Sequence, residues 1–197
     1  MTKQPLLLVV DLEATCWDSS VPGTDRKQTV NDMEIIEFGC VVAGLDGTIV
    51  DSKSFLVKPV MHPALSNFCT ELTSITQQDV DTAPGYKEVT ASINQWLSTF
   101  TLSAWGSWGN YDKNQIQADS QRMGGHPEFF NLPHINLKTS WRKSNGLSRK
   151  AKSGLTHALA FHDLEFAGRH HRGIDDAKNI TRLLPKIDLT SVPSGLS

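Results

Sequence analysis

The chain has 197 residues, 39% of them apolar, with 19 Lys and Arg against 21 Asp and Glu and a formal net charge of -2. That length and apolar content fit one ordinary globular domain, and the balanced charge excludes a general attraction to polyanions or membranes, so any nucleic-acid affinity has to be local. Cys16, Cys40 and Cys69 lie far apart without the paired spacings of a zinc site, and the first apolar run, Leu6 to Val10, is too short for a signal segment or membrane span, so the expectation is a soluble cytoplasmic protein.

"LLLVVDLEATCWD", Leu6 to Asp18, reads as a buried strand that ends in acids. Residues two apart on a strand share a face, so Asp11 and Glu13 stand side by side and repel each other. Pro22, Gly23 and several charges between Thr15 and Asp32 mark a surface loop. "EIIEFGCVVAGLDGTIVDSKSFLVKP" predicts a hairpin turning at Asp46-Gly47, with Pro59 closing its second strand. From Pro63 to Phe100 the pattern is helical, and after Ala83-Pro84 the residues Val89, Ile93, Trp96, Leu97 and Phe100 fall on one face.

"LSAWGSWGNYDKNQIQADSQRMGG" predicts a strand, a Gly-rich turn and a helix capped by Asn110 and ending at Gly124-Gly125, which places Asp112 in the first helical turn. "HINLKTSWRK" predicts a strand leading into basic residues, "SGLTHALAFHDL" a helix with Leu155 and Leu159 on its apolar face, and "GIDDAKNITRLLPKI" the last helix. A hairpin followed by alternating strands and helices defines an α/β domain with helices covering a mixed sheet.

Acids in a first helical turn, such as Asp112 or the Asp175-Asp176 pair, ordinarily complement the helix dipole. A carboxylate pair closing an apolar strand has no such ordinary reading. Four converging carboxylates would need cations, and an all-oxygen ligand set suits Mg²⁺ or Mn²⁺, of which two about 4 Å apart can clamp a phosphodiester. His171, just ahead of the helix carrying Asp176, titrates near neutral pH and is the candidate proton acceptor.

Asp11, Glu13, Asp112, His171 and Asp176 match, in order and spacing, an Asp-x-Glu on a first strand, an Asp after a fourth strand, and a His shortly before a final Asp. On these residues the chain resembles the DEDDh 3′→5′ exonucleases of the ribonuclease-H-like (RNase T/DnaQ-like) superfamily. "DLEATCWD", "EIIEFGCVV", "FCTELTSIT", "WGNYD" and "GIDDAKN" resemble its Eri-type branch, whose members trim histone messenger RNA ends, small interfering RNA and ribosomal RNA, and the likeness runs from Leu6 to about Leu184. One departure is His170, where relatives commonly carry Pro, so spacing assigns the base to His171.

The resemblance implies a mixed five-stranded sheet flanked by helices, in a single exonuclease domain over residues 1–197 with its core at about 5–187. It implies two Mg²⁺ or Mn²⁺ ions, with Asp11 bridging both, Glu13 and Asp176 on the nucleophile side, Asp112 supporting the second ion, and His171 deprotonating the attacking water. Asp175, one position off, is the alternative ligand, and the family spacing selects Asp176. The implied partner is nucleic acid with a free 3′ end, RNA or single-stranded DNA, cut to nucleoside 5′-monophosphates, with no membrane partner. Thr15 would contact the terminal sugar, and Phe68, Leu72 and Tyr111 would sandwich the terminal base, with core packing as the alternative for Phe68 and Leu72.

Between Thr139 and Gly154 lie Arg142, Lys143, Arg149, Lys150 and Lys152 without an acid, which reads either as a phosphate track or as a solvated loop. Two other functions stay open at this level. "DLEAT" also resembles the Asp-x-Asp-x-Thr motif of haloacid-dehalogenase-type phosphatases, with Asp11 as nucleophile, although Glu13 departs from it. A nucleic-acid end-binding module that kept the fold without the chemistry is the other alternative.

Overall fold

The computed structural model describes residues 5–190. β1 (Leu6–Ala14), β2 (Ile35–Gly44), β3 (Ile49–Leu56), β4 (Leu102–Ser107) and β5 (His134–Asn136) form one sheet in the order β3-β2-β1-β4-β5. β1 is antiparallel to β2 and parallel to β4, β2 and β3 are antiparallel, and β4 and β5 are parallel, so the sheet is mixed and five-stranded. The hairpin turns at Asp46 and Gly47, where Gly47 takes φ 82, a value that glycine adopts without a Cβ clash.

The helices are α1 (Asn67–Thr73), α2 (Gln77–Asp81), α3 (Tyr86–Leu97), α4 (Tyr111–Met123), α5 (Leu137–Ser144), α6 (Leu155–Ala160) and α7 (Gly173–Arg182). The helical stretch expected from Pro63 onward thus divides into α1, α2 and α3. Local capping sets its breaks: the Ser66 hydroxyl accepts the Cys69 N–H at 3.0 Å, and Thr76 and Asp79 form a reciprocal capping box. Asn110 precedes α4 but makes no side-chain cap bond; its Oδ1 accepts instead from Asn136 Nδ2 at 2.9 Å, which ties the start of α4 to the end of β5. No helix among the described residues is long and apolar enough to cross a membrane.

Alternation along β1 sorts the core between two layers of helices. Leu7 and Val9, with Val41 and Ala43 of β2, pack against Trp141 of α5 and Ala177 and Ile180 of α7. Leu8 and Val10, with Phe38 and Val42, pack against Val89 and Ile93 of α3 and Ile116 of α4, and Trp96 and Phe100 close the edge of that layer. Each fully buried aliphatic side chain of this kind stabilises by about 1.5–3 kcal/mol before chain entropy is counted.

By the same alternation Asp11 and Glu13 continue the Leu7 and Val9 row, which is the face that α7 covers. Glu37 and Gly39 continue the corresponding row on β2, and Glu37 lies directly across from Glu13. A Cβ on Gly39 would collide with the Gly173 carbonyl carbon, and one on Gly173 would lie 2.9 Å from the Asp11 carbonyl oxygen. These glycines let α7 begin directly on the sheet beside the acidic end of β1, which is what carries Asp176 to Asp11 and Glu13.

Candidate active site

A cleft of about 470 Å³ opens where β1 and β4 end. Asp11, Glu13, Asp112, His171 and Asp176 all line it, and so do Phe68, Leu72 and Tyr111. One carboxylate oxygen from each of Asp11, Glu13 and Asp176 lies within 4.8 Å of the other two. Asp112 comes from the first turn of α4 and is 5% exposed; its Oδ1 accepts the Leu12 N–H at 3.0 Å, a bond that locks the start of α4 against β1.

The histidine side of the cleft is held by the backbone. His171 takes φ 65, a left-handed conformation uncommon outside glycine, and this turn aims its N–H at Asp176 Oδ2, 2.7 Å away. His170 Nε2 lies 3.7 Å from Asp176 Oδ1, and the two imidazoles stack with centroids 3.9 Å apart. A ring nitrogen from each histidine and an Asp176 oxygen also fall within 4.8 Å of one another, so both rings belong to the cleft.

Burial shifts Asp11, Glu13, Asp112 and Asp176 in the same direction, and crowding of like charge adds to it at Asp11, Glu13 and Asp176. Burial first, then the negative charge of Asp112, Asp176, Glu13 and Glu37, holds Asp11 well above the ordinary carboxylate range. Burial and the charges of Asp176 and Glu37 push Glu13 up to about 9. Burial raises Asp176 to about 7 against the opposing His171 N–H, and raises Asp112 to about 6 against backbone N–H groups that include Leu12. His170 and His171 are both lowered by burial, which keeps the imidazoles neutral and able to accept a proton near neutral pH.

This arrangement fits divalent cations. Three carboxylates converge, the buried Asp176 Oδ1 has no hydrogen-bond partner, and no Lys or Arg among the described residues lines the cleft to offset the charge. An all-oxygen donor set of this kind suits a hard divalent ion.

Thr15 is the one predicted site residue that does not line the cleft. The register of β1 on β2 shifts between Glu13 and Ala14, which breaks the period-two alternation that would have put residues 11, 13 and 15 on one face. Thr15 is 2% exposed, and its Oγ1 accepts the Glu34 N–H at 2.9 Å rather than facing the cleft. Phe68 and Leu72 project from α1 into the cleft, with Phe68 37% exposed, so α1 is not a purely core-packing helix. Tyr111 is 41% exposed and its hydroxyl donates to Gln115 Oε1 at 3.3 Å.

Glu37 was missing from the predicted site. It is fully buried, its Oε1 accepts from Ser54 Oγ at 2.7 Å, and its Oε2 accepts from Arg172 Nε at 3.3 Å and the Gly173 N–H at 3.0 Å. With its acceptors occupied it serves as the anchor that fixes the start of α7. The signal was available in "EIIEF", whose second Glu sits inside an otherwise apolar strand.

A mixed five-stranded sheet with acids gathered at the end of its central strand, and a helix bringing another acid across to them, is the ribonuclease-H-like architecture of a DEDDh-type nuclease. The sequence model of the exonuclease family (RNase_T) matches residues 8–184, and the chain belongs to that family. Dependence on divalent cations goes with that membership, and the phosphatase reading of Asp11 falls away with it.

The chain is 33% identical over 187 residues to "ERI1 exoribonuclease 3" of Homo sapiens, covering 90% of this chain and 52% of the relative. It is 31% identical over 203 residues to "3'-5' exonuclease Snipper" of Drosophila melanogaster, covering 92% of this chain and 68% of the relative. Among solved structures, the nuclease domain of 3'hExo, a DEDDh family member, bound to rAMP superimposes with a TM-score of 0.81 at 27% identity, covering 93% of this chain and 92% of that one. The chain spans about half the length, 52%, of the ERI1 exoribonuclease 3 relatives it matches.

Proposed function

We propose that this chain is one exonuclease domain, with its core at about residues 5–187, that removes nucleotides from the 3′ end of RNA and releases nucleoside 5′-monophosphates. Single-stranded DNA is the second substrate. The observation that carries this reading is the convergence of Asp11, Glu13 and Asp176 within 4.8 Å in a cleft that Asp112 and two histidines also line. The exoribonuclease names of the relatives, and the rAMP bound to the similar nuclease domain, support RNA over DNA.

Asp11, Glu13, Asp112 and Asp176 would hold two Mg²⁺ or Mn²⁺ ions. Bound there, the cations supply charge neutralisation and Lewis-acid stabilisation of the attacking and leaving oxygens. His171, neutral at working pH, accepts the proton of the attacking water at a ring nitrogen. Water oxygen bonds to the terminal phosphorus as the bond from phosphorus to the upstream 3′ oxygen breaks; that oxygen takes a proton from solvent, leaving a 3′-hydroxyl on the shortened strand and a 5′-phosphate on the released nucleotide. The His171 N–H on Asp176 and the Glu37 bonds to Arg172 and Gly173 keep base and ligand in one rigid turn.

Phe68 and Leu72 of α1 and Tyr111 of α4 provide apolar surface for the terminal base. Tyr111→Ala should raise KM with little change in kcat, in line with about 1–3 kcal/mol of base stacking. Unchanged KM and unchanged affinity for a 3′ end would make Tyr111 a packing residue. Cys16, Cys40 and Cys69 are all buried free thiols, which supports a reducing, cytoplasmic setting.

The test of this reading is incubation of the protein with single-stranded RNA and DNA of the same sequence in Mg²⁺, Mn²⁺ or chelator. Cleavage of RNA in either metal, slower cleavage of DNA and none in chelator are expected. Activity that survives chelation contradicts the assignment, and end-binding without release of nucleotides favours the binding module.

A further inference from the structure

Between Glu128 and Asp163 the chain has no acidic residue, yet it carries Lys138, Arg142, Lys143, Arg149, Lys150 and Lys152. In a molecule of formal charge -2 this is a local concentration of positive charge. Arg142 and Lys143 at the end of α5 and Arg149 from the following loop line a separate pocket of about 330 Å³ with Thr139 and Leu147. None of these three cations is in an ion pair among the described residues.

Arg142 is held in place rather than neutralised. Its Nη1 donates to the Arg149 carbonyl oxygen at 2.7 Å and its Nη2 to Thr139 Oγ1 at 3.4 Å, while its buried Nε has no hydrogen-bond partner. A guanidinium fixed by neutral acceptors, with two more cations lining the same pocket, is prepared for an anion with several oxygens. The helix dipole accounts for Arg142 and Lys143 at the end of α5, but not for the return of Arg149 to the same pocket from outside the helix.

The pocket is built on the wall of the catalytic cleft. Trp108 lines the cleft, donates its indole N–H to the Ser153 carbonyl at 2.9 Å and packs on Trp141, next to Arg142, with centroids 5.9 Å apart. Leu155, at the far end of the same loop, also lines the cleft. The chain from Trp141 to Leu155 therefore runs between the two. A strand whose last nucleotide lies among carboxylates gains nothing electrostatic there without cations, so attraction for its remaining phosphates has to come from the flank.

We propose that the Arg142, Lys143 and Arg149 pocket binds a backbone phosphate of the single strand upstream of the 3′ nucleotide. This inference rests on the exonuclease reading above. The test compares the full chain with its Lys143→Gln/Arg149→Gln double variant, which leaves the Arg149 carbonyl that holds Arg142 in place. KM for a single-stranded RNA of about 12 nucleotides should rise about tenfold with kcat unchanged, a dinucleotide should be cut equally well by both proteins, and the log-log salt slope of binding should shrink by about 0.7, the share of one phosphate.

Affinity for the same RNA, read by fluorescence anisotropy in chelator, tests the pocket even if neither protein turns over: about tenfold weaker binding by the variant supports it. An absence of turnover in wild type would then count against the exonuclease reading alone. Equal affinity of the two proteins for the long RNA, or equal impairment on the dinucleotide, overturns the proposal. So would loss of binding to phosphatidylserine vesicles in the variant with RNA affinity unchanged, which would assign the pocket to a lipid headgroup.

Discussion

Asp11→Asn is expected to lower turnover by more than about 10³-fold while leaving a folded protein that, without divalent cations, is more stable than wild type. The charge of Asp11 is opposed by those of Asp112, Asp176, Glu13 and Glu37. Asp11, Glu13, Asp112 and Asp176 have folded-state values raised above the ordinary range, so at neutral pH the folded chain holds protons that the unfolded chain releases. Their contribution to stability is therefore greatest below about pH 4 and is lost as pH rises through the Asp176 value of about 7 and the Glu13 value of about 9.

Metal-free wild type should accordingly lose thermal stability between about pH 5 and 9, and Asp11→Asn should lose less, with about 2–4 °C in Tm for each kcal/mol. Added Mg²⁺ or Mn²⁺ should raise the Tm of wild type far more than that of the variant. Thermal melts across pH, with and without metal, read all of these. An Asp11→Asn protein that keeps its activity, or that gains as much stability from metal as wild type, would remove Asp11 from the ligand set.

His171→Ala should cut kcat by about 10²–10⁴-fold with metal affinity nearly unchanged, and His170→Ala should do little. The structure makes this a sharp comparison, because both rings line the cleft and stack on each other 3.9 Å apart, while the His171 N–H and the His170 ring both approach Asp176. The residual activity of the His171 variant should keep rising with pH as hydroxide takes over from the lost base, whereas wild type should level off above the lowered imidazole value. A crippling effect of His170→Ala would move the proton acceptor one residue without disturbing the carboxylates.

Much of this site was legible because it obeys simple periodicities. Asp11 and Glu13 share a face by the period of a strand, Asp112 sits in a first helical turn set by the end of β4, and the His171 to Asp176 spacing spans one turn into α7. The parts that escaped are those where local geometry departs from the period or where partners are distant in sequence. The register shift after Glu13 turns Thr15 away to Glu34, and nothing in "EATCW" marks that shift. The Glu37 contacts with Arg172 and Gly173 span 135 and 136 positions, so a buried acid inside β2 had no visible partner. Asn110 has the residue type of a helix cap, but Asn136 competes successfully for its oxygen.

The most direct measurement follows a single-stranded RNA labelled at its 5′ end through a time course in Mg²⁺ and identifies the small products by mass. Progressive shortening from the 3′ end, with nucleoside 5′-monophosphates as the released species, is the predicted result. Internal cuts, or products that carry 3′-phosphates, would contradict a cleft whose acids and histidine act on the terminal phosphodiester.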